Sequence, residues 1–233
     1  MTIFVLVHGA WGGSWCWADV TKQLSTQGYD VRAPTLTGLA DRSHLLRTDI
    51  DLSTHITDVT RMIEWEDLSD VVLVGHSYGG MVINGVWAAL PERVTGIVYI
   101  DAFVPDPGQS SVDILPWLND VFADLARPSG GYYMDPLDPA DLGVEDESAL
   151  SLIREMSTPM PIACMREPLP GPDRPRDGTP ITFINCTRPG NFADTASAGR
   201  ELGWTVVDLE GDHFPSITQP DVLTRELIQT LNH

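Results

Sequence analysis

Ser77, His213 and Asp101 are the residues of this chain whose types and spacing could do chemistry together. Ser77 lies in Gly75-His76-Ser77-Tyr78-Gly79-Gly80, directly after the apolar run Val71-Val72-Leu73-Val74 and before a helical stretch over 81–90. Strand, one-residue turn and helix in that order project a serine hydroxyl from a sharp bend. A hydroxyl is a poor nucleophile until a base takes its proton, so it must stand where a histidine can reach it. Small residues at 75 and 79 fit such a bend, because a Cβ there would crowd neighbouring backbone. The chemistry implied is acyl transfer; the bland alternative is a tight turn with an inert serine.

Six histidines could supply the base: His8, His44, His55, His76, His213 and His233. His213, in Gly211-Asp212-His213-Phe214, follows the last apolar run. Loops at the carboxyl ends of parallel strands converge on one crevice, so it can meet Ser77 there. His8 and His76 read as buttresses of the first turn and of the serine bend. His55 is expected to face out of its helix or pack locally, and His233 to fray. A carboxylate must then fix the histidine tautomer. Asp101 ends the run Ile97-Val98-Tyr99-Ile100 beside the serine strand, where an unpaired acid would be costly. Asp194, further on at the start of a helix, stays open as the alternative; Asp208, inside a strand, and Asp212, beside the histidine, are weaker candidates.

An oxyanion forming at the carbonyl needs donors. The Tyr78 amide, at a helix start, is one candidate; the Ala10 amide, in the glycine-rich turn His8-Gly9-Ala10-Trp11-Gly12-Gly13, is the other. Around the crevice the chain offers Trp11, Trp15, Phe103, Trp117, Tyr132, Tyr133, Met156, Met160 and Phe214. Core packing explains any one of these; as a set they suit a flat, apolar ligand.

These groups need a frame. Short apolar runs without polar alternation, at 3–7, 30–33, 71–74, 94–100, 181–185 and 205–209, read as buried strands. Helical stretches fall at 15–27 (Ser14 as cap, Gly28 as stop), 53–66, 81–90, 193–202 and 221–231. Strands alternating with helices predict an α/β chain with a doubly wound, mostly parallel sheet of about six strands. Residues 103–180 interrupt the alternation and hold most of the prolines. They read as a lid, with short helices near 112–125 and 147–156, inserted between core segments 1–102 and 181–233.

Bulk properties narrow the function classes. The 233 residues carry 33 acidic against 14 basic side chains, a net charge of −19, and Lys22 is the one lysine. Such a field repels phosphate backbones and anionic membranes, which argues against nucleic-acid and membrane partners and leaves a small molecule. Cys16, Cys164 and Cys186 form no disulfide or metal pattern, and the first apolar run is too short for a signal or membrane helix. A cytoplasmic protein is expected, with no cofactor and no sequence stripe that marks an oligomer interface.

Phe4–Trp11, Trp15-Cys16-Trp17, Gly75–Gly80, Asp101-Ala102-Phe103-Val104-Pro105 and Gly211-Asp212-His213 together resemble the α/β-hydrolase superfamily. Within it the chain is similar to the small esterase branch of plant methyl-salicylate esterases and hydroxynitrile lyases, and more so to bacterial carbendazim-hydrolysing esterases. The resemblance implies a Ser77–His213–acid triad and hydrolysis of esters or carbamates. The plant esterases place their acid after the next-to-last strand, where this chain has Cys186-Thr187-Arg188-Pro189. Haloalkane dehalogenases often place theirs where Asp101 stands. The lyases carry a threonine and a lysine where this chain has Gly9 and Phe214, which favours hydrolysis over lyase chemistry. A weakly catalytic ligand-binding protein on the same frame is the other alternative.

Overall fold

The structure, a computed structural model, describes residues 2–171 and 178–232. Eight strands appear in it: β1 (Ile3–Val7), β2 (Asp30–Arg32), β3 (Val71–His76), β4 (Val94–Ile100), β5 (Tyr133–Met134), β6 (Met160–Pro161), β7 (Ile181–Cys186) and β8 (Thr205–Leu209). Six of them form one sheet in the order β2-β1-β3-β4-β7-β8, and every neighbouring pair is parallel. β5 and β6 pair antiparallel as a separate small ribbon.

The helices are α1 (Ala18–Thr26), α2 (Leu52–Trp65), α3 (Gly79–Ala89), α4 (Ser111–Ile114), α5 (Leu118–Ala126), α6 (Glu147–Met156), α7 (Ala163–Arg166), α8 (Ala193–Glu201), α9 (Pro215–Thr218) and α10 (Pro220–Gln229). Both sheet faces are covered, which is why the central strands lack polar alternation. Val5, Val7, Leu73 and Ile97 point to the face that carries α2, α3 and α8. Phe4, Leu6, Val74 and Val98 point to the opposite face, under α1 and α10. This is the doubly wound parallel sheet that the alternation of runs predicts.

Three local readings are corrected. The chain enters α1 through a 3-10 turn, Ser14–Trp17, and the Ser14 side chain caps nothing; its amide instead donates to Thr35 Oγ1 at 3.0 Å. The helix expected over 112–125 is two pieces, α4 and α5. Pro116 cannot donate to the helix ladder, and it forces Leu115 out of the helical region, to φ −124° and ψ 82°. α2 starts one residue early because Asp51 accepts from the Thr54 amide in a capping box.

Between β4 and β7 the chain leaves the sheet and carries α4 to α7 and the β5–β6 ribbon. Leu118, Phe122, Met134, Met160 and Met165 of this stretch join the core on the α2/α3 face. Part of the stretch expected as a lid, 172–177, lies outside the described residues, as does His233. No helix among the described residues is long and apolar enough to cross a membrane.

Candidate active site

At the carboxyl end of β3 the chain must reverse into α3 within one residue. Ser77 takes that turn with φ +53°. The left-handed region costs a non-glycine residue roughly 1–3 kcal/mol, so the surroundings have to hold it. They do so through the backbone. The Ser77 amide donates to Ile100 O at 3.1 Å, and Ser77 O accepts from the Gly80 and Phe103 amides at 3.0 and 3.2 Å. The helix start is pressed so close that a Cβ on Gly79 would lie 2.5 Å from Val7 O, and one on Gly80 2.1 Å from Phe103 O. No side chain fits either position.

His213 follows β8, in a turn shaped by Asp212, whose Oδ1 accepts from the Phe214 amide at 2.8 Å. His213 Nδ1–H donates to Asp101 Oδ2 at 2.6 Å, with the histidine 5 % exposed and the acid wholly buried. That bond leaves Nε2 as the ring's free lone pair. Asp101 also adopts a positive φ, +44°, with its amide tied to Ile184 O at 2.8 Å. Its Oδ1 has no donor among the described residues. His76 Nε2–H donates to His213 O at 2.6 Å, so the residue before the serine also anchors the histidine turn. The other acids are elsewhere. Asp194 is exposed in the first turn of α8 and caps nothing, and Asp208 accepts from Asn185 and Arg200 at the surface.

The turn after β1 is the third strand end under strain, with Trp11 at φ +61°. His8 Nδ1–H donates to Gly9 O at 2.8 Å, which orients the Gly9–Ala10 peptide and the Ala10 amide on it. The bare His8 Nε2 accepts from the Leu36 amide at 3.1 Å. Trp11 O accepts from the Thr158 amide at 3.0 Å, and the Trp11 indole donates to Met134 O at 3.2 Å. Among the described residues, neither the Ala10 nor the Tyr78 amide has a protein acceptor.

These groups border a cavity of two lobes, each about 440 Å³ with its open mouth, which share Ala10, Trp11, Ser77, Leu137, Leu142 and His213. Trp15, His76, Ile153, Ser157 and Phe214, with Gly9, Gly12 and Cys16, complete the first lobe among the described residues. Phe103, Trp117, Phe122, Met165, Asn191 and Phe192 complete most of the second. Phe192 lies parallel to the His213 ring, 6.2 Å away at 13°, and Phe214 meets it edge-on at 5.3 Å.

Of the aromatic and Met side chains expected at the crevice, Trp11, Trp15, Phe103, Trp117 and Phe214 line the cavity. Tyr132 and Met156 do not, and this corrects the sequence reading. Tyr132 is 58 % exposed because Gly130 and Gly131 turn the chain outward just before it. Met156 is 40 % exposed: α6 buries Ala149, Leu150 and Ile153, and the chain then straightens so that Ser157 takes the place by the cavity. Tyr133 and Met160 also lie away from it, Met160 in the core. Leu137, Leu142, Phe122 and Phe192 also line the cavity, and nothing in the sequence separates them from ordinary core residues.

Three buried histidines near the serine are held neutral by burial. His8 is lowered to about 4, His76 is well below the ordinary value, with His213 adding repulsion, and His55 is lowered too. The unfolded chain takes up these protons near pH 6.5, the folded chain only at lower pH. The stability they support is therefore whole above pH 6.5 and drains away as pH falls through that window. His8 alone accounts for on the order of 3 kcal/mol by pH 4. Urea midpoints at pH 7.5, 6 and 4.5 should fall steadily; a flat series contradicts the neutral burial.

Residues 4–226 match the Alpha/beta hydrolase family. The chain is 51% identical over 116 residues to the carbendazim hydrolyzing esterase of Nocardioides sp. (strain SG-4G), covering 50% of this chain and 48% of that protein. It is 31% identical over 164 residues to the pyrethroid hydrolase of Sphingobium wenxiniae, covering 67% and 54%. The chain thus aligns with about half the length of these curated relatives. Among solved structures it resembles an extracellular α/β-hydrolase from a Paenibacillus species, described as sharing structural and functional homology with tobacco salicylic acid binding protein 2. That likeness has a TM-score of 0.84 at 25% identity and covers 99% of each chain. The parallel sheet, the serine bend after β3 and a family match over nearly all of the sequence make this chain a member of the α/β hydrolase family.

Proposed function

We propose that the protein is a serine hydrolase that cleaves small, neutral, apolar esters of carboxylic or carbamic acids, aromatic ones above all. The observation that carries the reading is the buried Asp101–His213 pair, joined at 2.6 Å on the cavity that Ser77 lines. With Nδ1–H held by Asp101, His213 Nε2 takes the Ser77 Oγ proton as the oxygen attacks the substrate carbonyl. The Ala10 and Tyr78 amides receive the developing oxyanion. His213 then returns the proton to the departing alkoxide, and water, activated by the same ring, releases the acyl or carbamoyl group from Ser77.

The lining supports this choice of substrate class. Among the described residues, neither lobe is bordered by Asp, Glu, Lys or Arg, so none of them offers a counter-charge to an ionised group. The rings of Trp11, Phe103, Phe122 and Phe192 suit a flat apolar body. The names of the relatives, a carbendazim hydrolyzing esterase and a pyrethroid hydrolase, agree with ester and carbamate cleavage. Residues 103–180 act as the lid that encloses the substrate. The mechanism requires no cofactor, and its partner is a small molecule rather than nucleic acid or a membrane. A cytoplasmic setting fits three free, buried cysteines.

The test is turnover of p-nitrophenyl acetate and butyrate, carbendazim and mandelonitrile, with Ser77→Ala as blank. Ser77-dependent release from an ester or carbamate is expected. Cyanide release alone reassigns the protein to lyase chemistry. No turnover, with binding of aromatic ligands, reassigns it to a ligand-binding role.

A further inference from the structure

We propose that His55, acting through the Tyr78 side chain, is a positioning residue for the oxyanion-binding amide of Tyr78; this rests on the hydrolase reading above. His55 sits beside the apolar stripe Ile56, Val59 and Ile63 of α2 and is wholly buried. A buried imidazole is costly unless both nitrogens are satisfied. Here they are, in one arrangement only. Nε2 lies 2.9 Å from Thr37 O, and a carbonyl can only accept, so Nε2 carries the proton. Nδ1 is therefore bare and accepts the Tyr78 hydroxyl at 2.9 Å. Burial favours this neutral form.

The Tyr78 ring is wholly buried and borders neither lobe of the cavity, so its hydroxyl is no substrate contact. What Tyr78 brings to the site is its amide. That amide belongs to the Ser77–Tyr78 peptide, whose carbonyl is gripped by the Gly80 and Phe103 amides. The phenol is the second grip, on the far side of the Tyr78 Cα. Two grips are needed because the peptide follows a serine at φ +53°, from which a loosened chain relaxes.

The other end of the relay is also fixed. The Thr37 amide and Oγ1 donate to Asp58 Oδ2 and Oδ1 at 2.7 and 2.8 Å, and Asp58 is one turn beyond His55 on α2. Its neighbour Leu36 donates to His8, which orients the Gly9–Ala10 peptide. The dipeptide Leu36-Thr37 thus holds both oxyanion amides through two neutral histidines, one for each. Neither histidine touches the reacting atoms.

The test compares His55→Leu, His55→Gln, Tyr78→Phe and the double variant His55→Leu/Tyr78→Phe. The readouts are kcat and KM on p-nitrophenyl butyrate, and Kd for an aryl trifluoromethyl ketone against the matching methyl ketone. Ser77 Oγ adds to the fluoroketone carbonyl, its proton passes to His213, and the carbonyl oxygen becomes an oxyanion in the hole; the methyl ketone binds without that step. His55→Leu and Tyr78→Phe should each lower kcat roughly ten- to hundredfold with KM nearly unchanged. Fluoroketone affinity should weaken by a similar factor while methyl ketone affinity holds. The double variant should lose no more than the worse single one. His55→Gln, which can donate to Thr37 O and accept from Tyr78, should recover most of the loss.

Wild-type kcat and fluoroketone affinity in Tyr78→Phe overturn the proposal, and that variant lacks only a hydroxyl, so it serves even where His55→Leu does not fold. Additive losses in the double variant, or lowered melting temperature with intact kcat, overturn it as well. A wild-type protein that neither turns over esters nor binds the fluoroketone overturns the hydrolase reading itself, and the brace with it.

Discussion

Ser77→Ala lowers ester turnover roughly a millionfold, to the level of residual binding and oxyanion stabilisation, with the fold intact. Loss of the nucleophile removes the covalent route entirely, so this is the largest single effect expected of any substitution. The structure also says why stability should not move. Ser77 Oγ makes no hydrogen bond among the described residues, and the bend is held by backbone bonds from Ser77 N and O that alanine keeps. Alanine meets the same strain at φ +53° as serine. The check is kcat on p-nitrophenyl butyrate alongside a thermal melt. Activity surviving within tenfold of wild type would remove Ser77 from the chemistry.

Asp101→Asn should cost roughly ten-thousandfold in kcat with little change in KM. The asparagine can turn its amide toward His213 Nδ1, which forces the proton to Nε2 and leaves no base facing Ser77. Even in the other orientation the charge that stabilises the imidazolium is gone. The protein itself should tolerate the change: Asp101 is wholly buried with a single partner, and one of its oxygens has no donor among the described residues. Replacing a buried carboxylate by a neutral isostere there relieves desolvation as it weakens one hydrogen bond. A melt within a few degrees of wild type should accompany the lost activity. Near-wild-type kcat would remove Asp101 from the role, and Asp194→Asn would then be the variant to measure.

The two expectations differ in what they ask of the fold. Ser77 needs only a local device, a strand that ends in a glycine-rich bend. Asp101 needs an encounter across 112 positions in sequence, between the end of β4 and the turn after β8. A parallel sheet makes such encounters regular, because its strands all end on one side. The same edge gathers the strain: Trp11, Ser77 and Asp101, at the ends of β1, β3 and β4, are three of the non-glycine residues with positive φ.

By itself the sequence determined the elements and their order. Apolar runs such as Ile3–Val7, Val71-Val72-Leu73-Val74 and Val94–Ile100 specify strands because burial on both faces demands them, and glycines at 79 and 80 mark a close approach that no other residue permits. From that order the parallel sheet followed, and with it the common edge where Ser77, Asp101 and His213 lie. What only the tertiary structure decided is which side chains meet. His55 reads as a polar residue at the rim of a helical stripe; that it turns inward depends on a hydroxyl from β3's bend and a carbonyl from the loop after β2, neither of which its own neighbours announce. Tyr132 and Met156 fell outside the cavity, and Leu137, Leu142, Phe122 and Phe192 fell inside, for the same reason. Periodicity and dihedral preference are local and can be read along a chain, whereas contacts between separate elements are settled only by how those elements pack.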